Sequence, residues 1–327
     1  MRFTLILALS IAGSELIAQS PRTNFHAKYE PRSGVLTGAG QGGPADVKLY
    51  SAALDGKANP VIYMDYMYVH TIDLNKYFRE LQVKLDSLGW YAVPQIGLAM
   101  VDEKGSHPYD DKVAAGEYDD NIRRIAFHLK SLHRPVFLRI GFEFDGFWNG
   151  YKPESYILAF RRVVDILRKA GVKNVATVWC AESDFLTNDY MKYYPGDKYV
   201  DWWAIDLFEA KYFESPPVET FMRDAMRNQK PVMIGESTPR HVGVLDGEKS
   251  WKAWFAPYFS FIGKHPNVKA FCYINWDWSV WAPRYSMEWA DWGDARLQMN
   301  SEVSRLFLEE VSKPLYIKAG DKSASLK

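Results

Sequence analysis

The sequence predicts an α/β protein, a single-domain (β/α)8 TIM barrel. Two observations lead to this prediction. Eight apolar runs of strand length alternate with helical patterns along residues 35–315, which is the spacing of eight strand–helix units. The runs are continuously apolar instead of alternating with polar residues, as expected of parallel strands covered by helices. No repeat, low-complexity tract or long linker divides the chain.

The predicted elements follow one another in a regular order. The apolar runs predict strands over 34–38, 61–65, 91–100, 136–142, 175–180, 202–207, 232–235 and 268–276. Helical patterns over 45–54, 74–88, 117–132, 153–171, 218–227, 251–262 and 301–310 lie between or after them. The helix that starts at Pro153 has the clearest pattern, because apolar residues at 156, 157, 160, 163, 164 and 167 form one stripe before Gly171 ends it.

An open doubly wound sheet is the alternative fold. Such a sheet usually carries a glycine-rich turn of the form G-x-G-x-x-G immediately before a helix. The glycine cluster at residues 38–43 does not fit that pattern, and we expect it to let a first loop pass close to a neighbour. The barrel is therefore favoured.

Composition excludes several classes of function. The 40 basic and 40 acidic residues balance, so the chain has no electrostatic footprint for nucleic acid or for an anionic membrane. Aromatic residues make up 15% of the chain, including 12 Trp. Core packing accounts for most of them, and we expect several Trp to line a cleft as flat surfaces for sugar rings.

The N-terminus resembles a secretory leader. Arg2 precedes an apolar run from Phe3 to Ile11, and Ala18 offers a cleavage site, so residues 1–18 are predicted to be a signal peptide. Residues 19–34 then form an extended lead-in, 35–315 the catalytic barrel and 316–327 a C-terminal tail. No other stretch is long and apolar enough for a membrane span. We expect an exported monomer, either periplasmic or secreted.

The two cysteines each lie inside a predicted strand. Export would permit a disulfide between Cys180 and Cys272. Strands five and eight of a barrel are not neighbours, however, so two buried free thiols are expected. No Cys/His cluster with zinc-ligand spacing is present, and we expect neither a metal nor another cofactor.

Acidic residues follow several of the predicted strands, at the barrel end where chemistry takes place in this fold. A loop-capping or salt-bridge role is the simpler interpretation for Asp65, Glu182, Asp206 and Asp277. Glu143 and Glu236 differ, because each is a lone carboxylate at the end of a strongly apolar strand that begins with proline. A carboxylate in that position is costly unless it is paired or used.

These two strand ends carry a family resemblance. The segment Arg139-Ile-Gly-Phe-Glu143-Phe-Asp145-Gly146 resembles the Arg-x-x-His-Glu-Met-Asn-Gly segment of glycoside hydrolase family 26 in clan A, or of a sister family. Pro231-Val-Met-Ile-Gly-Glu236 is similar to the nucleophile strand of that family. Residues 60–66 and 194–206 resemble its second strand and its approach to strand six. The family includes β-mannanases and related β-glycanases.

The resemblance implies a role for each of several residues. Glu143 would be the acid/base and Glu236 the nucleophile of a retaining, double-displacement hydrolysis of a β-linked polysaccharide, acting as an endo-glycanase. Neighbouring phenylalanines would raise the pKa of Glu143. Arg139, placed on the same strand face as Glu143, would keep Glu236 ionised.

Other residues are expected to bind the sugar. Trp276 would form the platform at the cleavage point, with Trp148 and Trp278 extending the cleft, although Trp278 equally suits loop packing. Phe142, Asp145, Phe208 and His241 complete the candidate substrate-binding set. Three of these depart from the family: Phe142 replaces a histidine, Asp145 an asparagine, and Phe208 a tyrosine. The sugar thus stays open among β-mannan, β-glucan and β-1,3-xylan.

Two functions of other classes are alternatives to hydrolysis by two glutamates. A non-catalytic carbohydrate-binding barrel would keep the aromatic cleft and lose the acid pair, which this chain retains. A metal-dependent barrel hydrolase needs several histidines at strand ends, and the seven histidines of this chain show no such clustering.

Overall fold

The computed structural model describes residues 22–102, 107–283, 286–324 and 326. Its sheet is a closed barrel in which each of eight parallel strands pairs with the next and the eighth pairs with the first. The strands are β1 (Val35–Gly40), β2 (Ile62–Tyr68), β3 (Val93–Ala99), β4 (Val136–Ile140), β5 (Val175–Glu182), β6 (Trp202–Leu207), β7 (Val232–Ser237) and β8 (Val268–Ile274). The predicted (β/α)8 barrel is confirmed.

Helices surround the barrel. They are α1 (Pro44–Ala53), α2 (Leu74–Ser87), α3 (Asp110–Ala115), α4 (Asp119–Ser131), α5 (Pro153–Lys169), α6 (Pro216–Arg227), α7 (Glu248–Ser250), α8 (Ala256–Lys264), α9 (Trp278–Trp281) and α10 (Ser301–Val311). A π-helical stretch, Trp251–Phe255, joins α7 to α8. The β5–β6 connection is the exception to the helical pattern, since its described structure is a short 3₁₀ turn, Tyr190–Tyr193.

Helix α5 shows why these segments fold as they do. Pro153 occupies its first turn, and the predicted apolar stripe is buried along one side of the helix except at Ile157, which is half-buried. Strands are buried over nearly their whole length, because helices cover their outer faces and side chains fill the barrel interior. This packing fixes the strand ends on which the candidate site is built.

Several strand boundaries differ from the prediction. Strand β4 ends at Ile140 instead of residue 142, because Gly141 and Glu143 adopt left-handed backbone with φ of 54° and 51°. Strands β2, β5 and β7 extend beyond their predicted ends, to Tyr68, Glu182 and Ser237. The period-two argument that placed Arg139 and Glu143 on one strand face is therefore wrong, although both residues reach the same site.

The lead-in packs against the N-terminal end of the barrel. The guanidinium of Arg22 donates hydrogen bonds to the carbonyls of Ile262 and Val268. Glu30 and Lys269 form an ion pair at 3.4 Å with both side chains inaccessible to solvent. At the other end of the chain, a short strand β9 (Tyr316–Ile317) pairs with the beginning of β1. The lead-in thus packs against the barrel, and β9 extends its sheet beside β1.

Both cysteines are buried free thiols, as predicted. Cys180 lies beside Asp206, and Cys272 lies beside Gln95. Residues 1–18, the predicted leader, fall outside the part of the chain that the structure describes. Among the described helices, none has the length and apolar character that crossing a bilayer requires.

Candidate active site

Three acidic side chains meet at the C-terminal end of the barrel. Glu236 lies within β7, Asp206 within β6, and Glu143 in the loop after β4. One carboxylate oxygen from each lies within 4.8 Å of the others. Two carboxyl groups about 5–5.5 Å apart are typical of retaining glycosidases, whereas inverting enzymes hold theirs about 6.5–9.5 Å apart. The separation of Glu143 and Glu236 suits the retaining arrangement.

Arg139 connects two of these acids beneath the surface. Its Nη1 donates to Glu236 Oε1 at 2.8 Å, and its Nη2 donates to Asp206 Oδ2. The guanidinium is fully buried. Gly235 makes this approach possible, since a Cβ there would stand 2.6 Å from Asp206 Oδ1 and 3.2 Å from the guanidinium. The guanidinium thus holds the carboxyl groups of Glu236 and Asp206 in one cluster.

Tyr66 is a site residue that the sequence analysis missed. Its hydroxyl donates to Glu236 Oε1 at 2.8 Å, the same oxygen that Arg139 binds. Burial raises the pKa of the Tyr66 phenol well above its ordinary value, so the phenol keeps its proton and acts as a donor. Its ring packs edge-on against Phe142 at 5.6 Å.

A signal for Tyr66 was present in the sequence. The apolar run of strand two continues through residues 66–68, and Asp65 next to it faces outward, where it forms a 2.8 Å salt bridge with Lys84 of α2. Since side chains alternate across a strand, an outward Asp65 implies an inward Tyr66. The predicted salt-bridge role of Asp65 is confirmed.

Glu143 is held in an unusual backbone conformation. Left-handed φ is uncommon for residues other than glycine and tends to occur at functional sites. The side-chain amide of Asn149 donates to the carbonyls of Phe142 and Glu143 at 3.0 and 2.9 Å. The indole of Trp148 donates to Glu143 Oε2 at 2.9 Å. These three bonds fix both the backbone and the carboxyl group of Glu143.

The carboxyl groups of Glu143 and Glu236 have different electrostatic environments. Burial raises the pKa of Glu143 well above its ordinary value, and the negative charges of Glu236 and Asp206 raise it further, against the opposing effects of Arg139 and Trp148. Glu143 therefore tends to stay protonated. Glu236 instead receives two hydrogen bonds on Oε1, one from the guanidinium of Arg139 and one from the phenol of Tyr66, which hold its carboxyl group in place. One group is suited to donate a proton and the other to attack.

Asp145, a predicted substrate-binding residue, lies two residues after Glu143 in the loop that follows β4. Its Oδ1 accepts a hydrogen bond from the backbone N–H of Glu182 at 2.8 Å, which ties the loop after β4 to the end of β5. Burial raises the pKa of Asp145 to about 7. Its Oδ2 is buried and has no hydrogen-bond partner within the described ranges. The structure thus gives Asp145 a contact with the protein backbone.

The predicted tryptophans occupy two different places. Trp276 stacks on Trp281 with centroids 4.9 Å apart, and its Nε1 has no hydrogen-bond partner among the described residues. Trp278 is only 2% exposed, and its Nε1 donates to Thr238 Oγ1 at 2.9 Å. Trp278 also contacts Trp276 and therefore supports it from within the loops.

Phe208 and His241 lie on the loops after β6 and β7. Phe208 is buried against Trp292, with ring centroids 5.5 Å apart. His241 is partly exposed, with Nδ1 3.3 Å from the carbonyl of Asp291 and Nε2 3.8 Å from Glu209. Both side chains contact neighbouring protein groups on this rim. The structure shows no contact between either of them and Glu143 or Glu236.

The acid cluster also has the ligand types that a metal ion prefers, because three carboxylates converge. Two of the three, Asp206 and Glu236, already bind the guanidinium of Arg139. That guanidinium supplies a fixed positive charge at the place where these two acids meet. The arrangement suits acid–base chemistry by the protein's own groups.

Comparisons with known proteins identify relatives of this chain. A β-1,3-xylanase from an Alcaligenes species is 31% identical over 229 residues, which cover 63% of this chain and 48% of the relative. The β-1,3-xylanase TXYA from a Vibrio species is 30% identical over 233 residues, covering 64% of this chain and 50% of the relative. This chain thus spans about half the length of these curated relatives.

Structural similarity extends over nearly the whole barrel. The structure of GH26C from a Muricauda species superposes with a TM-score of 0.65 at 16% identity, covering 91% of each chain, which shows the shared fold. The sequence profile of glycosyl hydrolase family 26 matches residues 95–277, which include Glu143 and Glu236. This chain belongs to glycosyl hydrolase family 26.

Proposed function

We propose that this protein is a retaining glycoside hydrolase that cleaves a β-linked polysaccharide in two steps. The observation that carries the proposal is the meeting of Glu143 and Glu236, with carboxylate oxygens within 4.8 Å, in different environments: burial raises the pKa of Glu143, whereas Glu236 is hydrogen-bonded to Arg139 and Tyr66. General acid catalysis and nucleophilic attack require that difference. Membership of the family supports the same assignment.

In the first step, Glu236 Oε2 attacks the anomeric carbon while Oε1 stays bonded to Arg139 and Tyr66. The bond between that carbon and the glycosidic oxygen breaks, and the proton of Glu143 passes to the departing oxygen. The products are a glycosyl ester on Glu236 and a shortened chain with a new hydroxyl group.

In the second step, Glu143 acts as a base. It takes a proton from a water molecule, whose oxygen attacks the anomeric carbon and displaces Glu236. Two inversions restore the β configuration of the sugar. The left-handed backbone of Glu143, held by Asn149, keeps the carboxyl group over the bond throughout both steps.

Among the candidate polysaccharides, β-1,3-xylan is our first choice. Two relatives at 30–31% identity carry the name β-1,3-xylanase. Trp276, which is 8% exposed and stacks on Trp281, would contact the sugar on the side that becomes attached to the enzyme. An aromatic face suits a pyranose because its axial C–H groups are apolar and its hydroxyl groups point outward.

Export is part of this proposal, since a polysaccharide substrate is too large to enter the cell and is cleaved outside it. The leader pattern in residues 1–18 supports it. N-terminal sequencing of the protein recovered from the periplasm and the medium tests it. A first residue at or near position 19 is expected, and an uncleaved Met1 in every fraction would contradict it.

The hydrolytic proposal is tested on a panel of β-1,3-xylan, β-1,3-glucan, mixed-linkage glucan and β-mannan. Reducing-sugar release and product sizing are measured for the wild type, Glu236→Ala and Asp145→Asn. We expect β-1,3-xylan to be cleaved to short oligosaccharides, Glu236→Ala to lose nearly all turnover, and Asp145→Asn to keep most of it. Binding of a polysaccharide without any sugar release by the wild type would instead support a non-catalytic carbohydrate-binding barrel.

A further inference from the structure

Three aromatic side chains form a cluster on the rim beside Glu143. Phe147 and Trp148 follow β4, and Phe185 follows β5; we call them the rim cluster. Each pair of rings in the cluster has centroids 5.2 Å apart. Phe147 is 69% exposed and Phe185 41%. Neither phenylalanine has a part in the chemistry proposed above, and large exposed apolar groups grouped together indicate a binding surface.

The rim cluster is attached directly to the acid/base. Trp148 donates its indole N–H to Glu143 Oε2 at 2.9 Å, and the rings of Phe147 and Phe185 both contact the ring of Trp148. Around the barrel, β4 and β5 stand opposite β8 and β1. Trp276, which follows β8, is therefore on the other side of the mouth. A sugar chain across the acids would meet aromatic surfaces at both ends.

The loop that carries Phe185 is fixed by buried polar groups. Glu182 Oε2 accepts hydrogen bonds from the backbone N–H groups of Asp184 and Phe185 at 2.8 and 3.2 Å. Arg240 donates to Asp184 Oδ2 at 2.6 Å and lies over the ring of Trp292. A surface that is held in place before a ligand arrives loses less entropy on binding.

The direction of the reaction decides which sugar this surface would meet. The proton of Glu143 goes to the glycosidic oxygen, and that oxygen departs with the sugar chain on its own side. The leaving chain thus lies on the Glu143 side of the cleft, where the rim cluster is. The chain that becomes attached to Glu236 lies toward Trp276.

We propose that Phe147 and Phe185 bind a β-linked pyranose of the leaving chain, beyond the sugar that contacts Trp148. The inference rests on the proposed hydrolytic function and deepens it. It assigns to these two exposed rings a distal subsite that selects longer substrates. Binding there would hold the scissile bond against Glu143 and would matter only for substrates with two or more sugars on the leaving side.

The test compares two substrates in the Phe147→Ala/Phe185→Ala double variant. A β-1,3-linked xylohexaose can occupy the distal subsite, whereas β-xylobiosyl fluoride has a single fluoride as its leaving group and cannot. We expect kcat/KM for the hexaose to fall at least tenfold and that for the fluoride to stay within twofold of the wild type. Phe127→Ala is the matched control, because Phe127 on α4 is 67% exposed, close to Phe147, and it should change neither value.

Three outcomes would overturn the inference. Unchanged hydrolysis of the hexaose would show that the rings contact no sugar. An equal loss on both substrates would show that they support Glu143 and do not form a subsite. Hydrolysis of neither substrate by the wild type would refute the proposed function itself, and this subsite with it. Phe185→Trp serves as a second variant, and it should retain the preference for the hexaose because the aromatic surface is kept.

Discussion

The hydroxyl of Tyr66 in β2 donates to Glu236 Oε1 at 2.8 Å, and the guanidinium of Arg139 in β4 donates to the same oxygen at 2.8 Å. The other oxygen, Oε2, is left to attack. Phe208 stands where the resembled family usually has a tyrosine after strand six, and its ring is buried against Trp292. In this chain the phenol beside Glu236 comes from β2 instead.

The variant Tyr66→Phe tests the role of that phenol. It keeps the ring packed against Phe142 and removes the bond to Glu236. A hydrogen bond to a charged group contributes roughly 1.5–3 kcal/mol, so kcat should fall about 10- to 100-fold. KM for xylohexaose should change little. Steady-state kinetics measure both.

The control for Tyr66→Phe is Tyr77→Phe on α2. The Tyr77 hydroxyl is buried and has no hydrogen-bond partner in the described part of the chain. Its removal should leave kcat unchanged. Equal effects of the two variants would contradict a specific role for Tyr66.

The bond from Trp148 to Glu143 predicts a change in pH dependence. The indole N–H stabilises the ionised carboxylate and so lowers the raised pKa of Glu143. Trp148→Phe removes this effect, and the pKa of Glu143 should rise further. Since activity is lost as the acid gives up its proton, the alkaline limb of kcat against pH should move to higher pH.

Profiles of kcat against pH with xylohexaose measure this shift. Trp90→Phe is the matched control. The indole N–H of Trp90 donates to the carbonyl of Pro60 at 3.0 Å, and neither residue belongs to the acid cluster. Its alkaline limb should coincide with that of the wild type. A limb that moves to lower pH in Trp148→Phe would show that the indole bond does not stabilise the carboxylate.

Two asparagines that make similar bonds should differ in their effect on catalysis. Asn149 bridges the carbonyls of Phe142 and Glu143, and Asn174 bridges those of Leu129 and Arg134 at the other end of the barrel. Asn149→Ala and Asn174→Ala should each lower the free energy of unfolding by about 1–3 kcal/mol. Only Asn149→Ala should also lower kcat, because it releases the left-handed backbone of Glu143.

Denaturant unfolding and steady-state kinetics on the two variants separate these effects. A loss of kcat in Asn174→Ala as large as that in Asn149→Ala would point to a general loss of rigidity. Positioning of Glu143 by Asn149 would then be refuted.

The ion pair between Glu30 and Lys269 should be important for stability and irrelevant to chemistry. Glu30→Ala leaves the ammonium of Lys269 buried without its partner, which costs about 3–5 kcal/mol. Glu309→Ala breaks an exposed pair with Arg305 and should cost about 1 kcal/mol or less. Urea unfolding measures both, and kcat of the folded protein should not change in either. Similar costs in the two variants would show that the lead-in contributes little.

The barrel fold and the positions of Glu143 and Glu236 at strand ends could be predicted from the sequence, because both depend on strong local signals. Glu143 and Glu236 each follow an apolar run, where a carboxylate is costly unless it is paired or used. Tyr66 was missed because its inward direction depends on where β2 ends, and the apolar run was ended three residues too early. Strand boundaries are set by pairing with neighbours, which a local pattern does not contain.

The backbone of Glu143 was outside the reach of sequence patterns. Apolar residues around it predicted continued strand, whereas Asn149 and the neighbouring strand end hold it in left-handed conformation. The roles of Trp276 and Trp278 were also undecided, because a tryptophan in a loop looks the same in sequence whether its face is open or packed. Burial of Trp278 against Trp276 settled their relative position.

In the proposed mechanism, Glu236 forms a covalent bond to the sugar while Glu143 transfers the proton. The most direct test is peptide mass spectrometry of the protein after reaction with a 2-deoxy-2-fluoro xylobiosyl fluoride, which slows release of the intermediate. We expect one added glycosyl group, located on Glu236. A label on another residue, or an unlabelled protein that releases a product of inverted configuration, would contradict the two-step mechanism with Glu236 as nucleophile.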